Sequence, residues 1–389
     1  MKILSLLSDR PWPPNTGSRV RNAHIWPALR DLGWDVRLLA LDQDGSPLAS
    51  DARLPVELHR PDRESYPVRA YHALRYSYHQ WPASRTLAER ARQLAADWQP
   101  DVIHAEELRM AAYLPAGAAP VRTLTLHNVE SDLLRQTGSS AFRFGRPVIE
   151  AAHLAALRSF ERRAVSGVDL AFAYSTADRA RYQSLYPAVR WAETRNGVHA
   201  SSIAPAPQPA APSVLLLGSL GYAPNVHGLF WFLDRVLPLL PSDLTVTVAG
   251  SRATPEVRRR LAAAPVRFVD TPPELAPLYA EHAVSVVPVF QGSGTRGKIL
   301  ESLAYERAVV TTTQGVGGLE LAEGDGYVVA DDAELFAARV ARLAASPDER
   351  AALARRGRAA VLAGYDWSAV AASLDAAWRS CVASRGARG

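Results

Sequence analysis

The sequence predicts an α/β protein made of two Rossmann-like halves. Three observations carry that prediction. Apolar strand-like runs alternate with helical patterns along the whole chain. An Ala/Pro stretch at residues 204–212 separates two such series. Within the second series, an apolar run at residues 283–290 leads into a glycine-rich turn and then a helical pattern. Strand, glycine turn and helix start is a common α/β solution for holding phosphate. A chain of 389 residues also fits two domains better than one.

The first half opens with a strand-like run from Lys2 to Leu7, too short in its apolar core for a signal peptide. The loop from Pro11 to Arg19 follows, and it contains Gly17. A helical pattern then runs through Val20, Ile25, Trp26 and Leu29, stops at Gly33, and gives way to a strand from Asp35 to Leu41. This is a βαβ opening and implies a parallel sheet. The loop lacks Gly-x-Gly-x-x-Gly, which disfavours a dinucleotide-binding oxidoreductase. Gly17 would let a phosphate or sugar come near the backbone, or would be an ordinary turn glycine.

Residues 63–92 mix arginine with Tyr, His and Trp. Such a mixture suits a membrane interface or a large polar acceptor, and equally a solvated helix pair. Strands end next at His104-Ala105-Glu106 and at His127-Asn128-Val129-Glu130. Polar residues at strand carboxyl ends point into the ligand crevice of open α/β sheets. His127 is therefore a candidate partner for a substrate hydroxyl, with Glu130 and His104 as weaker acceptor-side candidates. A helix at residues 150–164 and a strand at residues 169–175 follow, and Asn196-Gly197-Val198 closes the half with a turn.

After the Ala/Pro stretch the βα rhythm restarts. A strand from Ser213 to Leu217 ends in Gly218-Ser219-Leu220, and a helix begins near Val226. Strands at residues 244–249 and 266–269 follow, the second ending at Asp270. A short helix through Leu275, Leu278 and Tyr279 leads to the apolar run and glycine turn, and a further strand covers residues 309–312. The last segment is helical through Val370, Leu374 and Trp378. The domain reading is residues 1–203, a hinge at 204–212, residues 213–365, and a terminal helix at 366–389 that packs back on the first domain. Two Rossmann-like domains joined by a hinge imply a cleft, with ligands at the strand ends that face it.

The glycine turn reads Gly292-Ser293-Gly294-Thr295-Arg296-Gly297-Lys298, with Glu301 one turn on. Arg296 and Lys298 sit where a helix dipole favours anions, not cations. An anion between them accounts for that placement. Glu301 is placed to accept hydrogen bonds from sugar hydroxyls. The plain alternative is a Lys298–Glu301 surface pair at i, i+3. Gly-x-x-x-x-Gly-Lys-Ser/Thr is absent, so this is no Walker A loop.

Composition narrows the function classes. No apolar run reaches the roughly 18–20 residues of a membrane span. The lone Cys381 excludes an internal disulfide and a cysteine zinc site, and fits the cytosol. Net charge is +5, carried almost wholly by arginine, since the chain has only Lys2 and Lys298 as lysines. That excess could favour anionic substrates or an anionic membrane surface. Zinc-finger spacing and long basic runs are missing, so nucleic acid is not an expected partner.

These features together resemble the GT-B glycosyltransferases of family 4. The residues that carry the likeness are Asn196-Gly197-Val198 before the hinge, Gly218-Ser219-Leu220 with Pro224-Asn225, the run from Gly292 to Glu301, and His127-Asn128-Val129-Glu130. They are most similar to the bacterial exopolysaccharide-type branch. The resemblance implies metal-free transfer of a hexose-type sugar, with retention, from a nucleotide diphosphate donor to a hydroxyl acceptor. It implies no cofactor beyond that co-substrate. The acceptor would be a lipid-linked glycan, a small metabolite or a protein, and the enzyme cytoplasmic, with peripheral contact at the inner face of the membrane as a further expectation. The resemblance makes His127, Arg296 and Lys298 the catalytic set. It assigns Gly17, Gly218, Ser219, Asp270, Gly292, Ser293, Gly294, Thr295 and Glu301 to the donor, with Glu301 on its ribose.

The chain departs from the family pattern at two places. Ser293 stands where the family's first motif glutamate falls. Ser219 and Pro224 or Asn225 stand near its usual arginine and lysine. Two other readings therefore accompany the first. A sugar-nucleotide epimerase or hydrolase would need a carboxylate pair, for which Glu106 and Glu130 are the candidates. A non-catalytic nucleotide-sugar binding subunit would fit the missing cations.

Overall fold

The computed structural model describes residues 1–14, 17–42, 53–62, 84–115, 117, 121–127, 129–137, 147–291 and 297–386. It divides into two compact units: residues 1–195 with 370–389, and residues 196–369.

The first unit is built on seven strands: β1 (Lys2–Leu7), β2 (Asp35–Leu41), β3 (Val56–His59), β4 (Val102–Glu106), β5 (Val121–Leu126), β6 (Leu170–Ala173) and β7 (Trp191–Glu193). They lie in the order β3-β2-β1-β4-β5-β6-β7, and neighbouring strands run parallel. The order reverses at β1, between β2 and β4, where Leu7 lies opposite Glu106. Carboxyl ends at such a reversal form the usual ligand crevice of a doubly wound sheet. The strands are apolar on both faces: Leu4, Leu6, Ile103, Leu124 and Phe172 are all buried, as a parallel sheet covered by helices requires.

Helices Gly17–Asp31, Arg85–Asp97, Glu130–Thr137, Pro147–Ser166 and Thr176–Leu185 accompany this sheet. Two of them start on serine caps: Ser84 Oγ accepts from Leu87 N and Ser175 Oγ from Asp178 N. The helix Trp367–Gly386 belongs to this unit from Val370 onward. Its Trp378 is wholly buried, stacked on Trp26 and edge-on to Trp34, His104 and Phe172. Most of the basic-aromatic stretch at 63–92 lies outside the described residues.

The second unit repeats the plan with β8 (Ser213–Leu217), β9 (Thr245–Gly250), β10 (Arg267–Asp270), β11 (Val284–Val287), β12 (Ala308–Thr311) and β13 (Tyr327–Val329). The order is β10-β9-β8-β11-β12-β13, again parallel throughout. Its reversal falls at β8, between β9 and β11. The Ala/Pro stretch at 204–212 lies inside this unit. Its carbonyls are taken by buried arginines: Arg307 bonds Pro207 O, and Arg350 Nη2 donates to Pro209 O at 3.0 Å. Proline removes backbone donors but leaves acceptors, so arginine is the complementary partner. The Asn196-Gly197-Val198 turn is tied in as well, with Val198 N donating to Tyr365 O at 2.8 Å.

Helices Pro255–Ala262, Ala333–Ala345 and Pro347–Gly364 were not foreseen from the sequence, nor was β13. Among the described residues no helix is long and apolar enough to cross a membrane.

Candidate functional site

In the second unit, the chain leaving β8 meets the helix Gly297–Ala304. That helix buries Ile299, Leu300 and Leu303, which fixes its first turn against the sheet. Lys298 is thereby held half-buried, and its Nζ donates to Asn225 Oδ1 at 2.6 Å. Asn225 is positioned in turn by Nδ2, which donates to Ser219 O at 2.9 Å. A β-carbon on Gly218 would lie 2.7 Å from Lys298 Nζ and 3.2 Å from Asn225 Nδ2. Glycine thus lets an ammonium come down onto the backbone at the end of the central strand. Asn225 reaches this point because the helix Ala223–Trp231 approaches the chain after β11 at Gly228, where a β-carbon would meet Pro288 O at 1.7 Å.

Glu301 lies one turn beyond Lys298. Burial pushes its carboxyl up to about 7, against a hydrogen bond from Tyr279 and the nearby Lys298 charge. Asp270 is placed differently from the others. It sits at the end of edge strand β10, exposed, with Arg258 Nη2 donating to it at 2.5 Å and Thr271 Oγ1 at 3.0 Å. Gly292, Ser293, Gly294, Thr295 and Arg296 lie outside the described residues.

In the first unit, the carboxyl ends of β4, β5 and β6 bring together residues that the sequence reading took one at a time. Glu106 is fully buried. Its Oε1 receives Arg21 Nε at 3.1 Å and faces His127 Nε2 at 3.1 Å, and Tyr174 Oη donates to it at 3.3 Å. Its Oε2 faces His104 Nε2 at 3.1 Å. Burial opposes the charge on Glu106. Arg21 and the two histidines overcome it and hold the carboxyl well below the ordinary range. Arg21 spends its other nitrogens on Arg195 O at 2.6 Å and Thr194 Oγ1 at 2.8 Å.

His127 stacks on Tyr174, with ring centroids 4.5 Å apart, and keeps 20% of its side chain exposed. Its Nδ1 faces Glu107 Oε1 at 3.9 Å. Glu107 has φ 81° and ψ 149°, a strained backbone for a residue with a side chain. Ser18 Oγ donates to it at 3.0 Å and Arg109 Nε at 2.9 Å. Burial raises its carboxyl, but His127, Arg109 and the hydroxyls of Ser8 and Ser18 bring it below the usual range.

His104 is turned into the sheet's own hydrogen bonds. It is buried, with Nδ1 against Thr123 Oγ1 at 2.8 Å, and it braces Glu106 where an acceptor contact was expected. Gly17 begins the helix that carries Arg21, with nothing within 4 Å of a β-carbon placed there. Glu130 stands in the first turn of the helix Glu130–Thr137. Asn128 lies outside the described residues. Arg21, Glu107 and Tyr174 were missed. The available signal was the second carboxylate directly after Glu106, at a strand end equivalent to that of His127.

Comparison with known proteins gives the family. The family model described as "Glycosyl transferase 4-like domain" matches residues 16–197, and "Glycosyl transferases group 1" matches residues 211–346. The chain belongs to the GT-B glycosyltransferases. An uncharacterized 44.6 kDa protein in the cps region of Klebsiella pneumoniae is 27% identical over 139 residues, which is 33% of this chain and 36% of that protein. The match therefore spans little more than a third of that relative's length. Among solved structures, sucrose-phosphate synthase from Thermosynechococcus elongatus is similar at a TM-score of 0.71 and 17% identity, covering 99% of this chain and all of that one. Anabaena HepE, in complex with UDP and glucose, gives 0.65 at 14% identity over 97% and 99% of the two chains. The E. coli structure bound with UDP-2-fluoro glucose gives 0.62 at 14% identity over 97% and 98%.

Proposed function

We propose that the protein transfers a hexose-type sugar from a nucleotide diphosphate donor to a hydroxyl acceptor, with retention at the anomeric carbon and without a metal ion. The observation that carries this reading is the ammonium of Lys298 seated against the Gly218 backbone at the carboxyl end of β8. A cation at that point would offset the charge of a departing diphosphate. Arg296 is the second cation in this reading. Glu301 would accept hydrogen bonds from the donor ribose, and His127 would meet a hydroxyl of the transferred sugar. The departing phosphate oxygen takes the acceptor's proton as the acceptor attacks from the same face, so no protein nucleophile is assigned.

Two relatives of the same fold support the donor class, one in complex with UDP and glucose and one with UDP-2-fluoro glucose. The cps-region relative supports an acceptor on a polysaccharide intermediate. Peripheral attachment to a membrane that carries such an intermediate belongs to the same proposal.

The test is transfer of labelled sugar from a panel of nucleotide sugars to membrane-extracted glycan acceptors, in buffer containing EDTA. Labelled product with the donor's anomeric configuration is the expected result. Turnover that requires an added divalent ion, or product of inverted configuration, would refute the proposed mechanism. Donor consumption with no acceptor present would point instead to a hydrolase or epimerase.

A further inference from the structure

The hydrogen bonds behind His127 have a direction. We propose that Glu106, backed by Arg21, His104, Thr123 and Trp378, is a positioning residue that holds the Nε2 proton of His127 and so fixes the ring with its Nδ1 edge toward a sugar hydroxyl. This rests on the reading that His127 meets the substrate.

The direction is set at the far end of the chain of bonds. The indole of Trp378 can only donate, and its Nε1 lies 3.2 Å from Thr123 Oγ1. The hydroxyl proton of Thr123 is then left for His104 Nδ1, 2.8 Å away. Burial lowers the pKa of His104 and favours the neutral ring, so its single ring proton sits on Nε2, where Glu106 Oε2 and Thr125 Oγ1 both lie at 3.1 Å and the carboxylate is the stronger acceptor. Glu106 is a carboxylate and accepts only. Arg21 is the fixed counter-charge: its guanidinium donates to the same carboxylate and lies 5.0 Å from the centroid of the Tyr174 ring.

His127 Nε2 faces that carboxylate at 3.1 Å. A lone pair there would oppose a buried anion, so the nitrogen carries a proton. Tyr174 is the competing donor, with Oη 2.8 Å from His127 Nε2. Its better acceptor is Glu106 Oε1 at 3.3 Å, because a hydrogen bond to a charged oxygen is roughly twice as strong as one between neutral groups. With Nε2 tied to Glu106, Nδ1 is the ring nitrogen left to face Glu107 and a ligand. Glu107 Oε1 is 3.9 Å from it, beyond direct bonding. A ligand hydroxyl, able both to donate and to accept, can meet this edge.

The experiment is a long-range nitrogen–proton correlation spectrum of the full chain, labelled at the histidine nitrogens, with no substrate present. His127→Gln and His104→Gln identify the two spin systems. The expected wild-type spectrum shows His127 protonated on Nε2, and Tyr174→Phe keeps it so. Protonation on Nδ1 alone in the wild type overturns the proposal. In Glu106→Gln, His127 is expected to shift toward the Nδ1 tautomer, and kcat/KM for transfer to fall about 10- to 100-fold. An unchanged tautomer in that variant also overturns it. Should Glu106→Gln fail to fold, the wild-type and Tyr174→Phe spectra still decide. Because the spectra need no substrate, the expected tautomer in a protein that transfers no sugar would sink the functional reading and leave this inference standing.

Discussion

Lys298 donates a 2.6 Å hydrogen bond from its ammonium to the side-chain oxygen of Asn225. Asn225 stands near the position where the family pattern has a cation, and here it aims a cation that comes from another element. The ammonium beside the end of β8 thus comes from the helix Gly297–Ala304. Lys298→Ala is expected to lower donor turnover by about 10²-fold or more. Asn225→Ala, which keeps the charge but frees its aim, should lower it less. Steady-state kinetics on both variants checks the order; equal activity in Lys298→Ala and wild type would discard the site.

Gly218 separates charge from space. In Gly218→Ala the new methyl would sit 2.7 Å from Lys298 Nζ, the far end of a flexible side chain. The ammonium can swing away, so the fold should survive with a melting temperature near the wild type's. Donor turnover should fall nonetheless, because the cation no longer reaches the backbone. Melting curves and turnover measured on the same preparation test this. A large loss of stability would mean the backbone there cannot adjust.

Glu301 gives a pH signature. Burial raises its folded-state pKa to about 7 from the ordinary 4.5. Between those values the folded chain holds a proton that the unfolded chain has lost. The stability it contributes is therefore full below pH 4.5 and falls as pH rises through 7. The side chain is half-buried, so the loss should be about 1–3 kcal/mol. Glu301→Gln should flatten this part of the stability–pH curve, read from melting curves between pH 5 and 8. If ribose hydroxyls donate to the carboxylate, affinity for the nucleoside diphosphate should rise over the same range more in wild type than in Glu301→Gln.

Trp378 ties the last helix into the first unit through four aromatic neighbours and Thr123. Trp378→Ala should cost about 3–5 kcal/mol, the usual range for a buried aromatic. The effect should appear in the unfolding of the first unit, followed by the fluorescence of Trp26 or Trp34.

The two Rossmann-like units were legible because parallel strands buried on both faces leave unbroken apolar runs, as at Lys2–Leu7 and Ser213–Leu217. The helix Ala333–Ala345 was missed although it carries a clear start signal, Asp332 Oδ1 accepting from Leu335 N at 2.7 Å. Its alanines blur the contrast between faces that periodicity needs. Lys298, Glu301 and His127 could be named as candidates because their chemistry is local to a strand end or a turn. Arg21 and Tyr174 could not. Arg21 matters only because folding brings it to Glu106, 85 residues away, and Tyr174 only because it stacks on His127, 47 residues away. His104 was misread for the same reason: a polar residue near a strand end can turn into the sheet's own hydrogen-bond network.

The central claim is that Lys298 helps hold a donor diphosphate. Thermal-shift titrations of wild type and Lys298→Met with UDP, GDP, ADP and dTDP test it most directly. One nucleotide is expected to raise the wild-type melting temperature, with a clearly smaller rise in Lys298→Met at the same concentrations. An equal rise in both proteins, or no rise with any of the four, would contradict the claim.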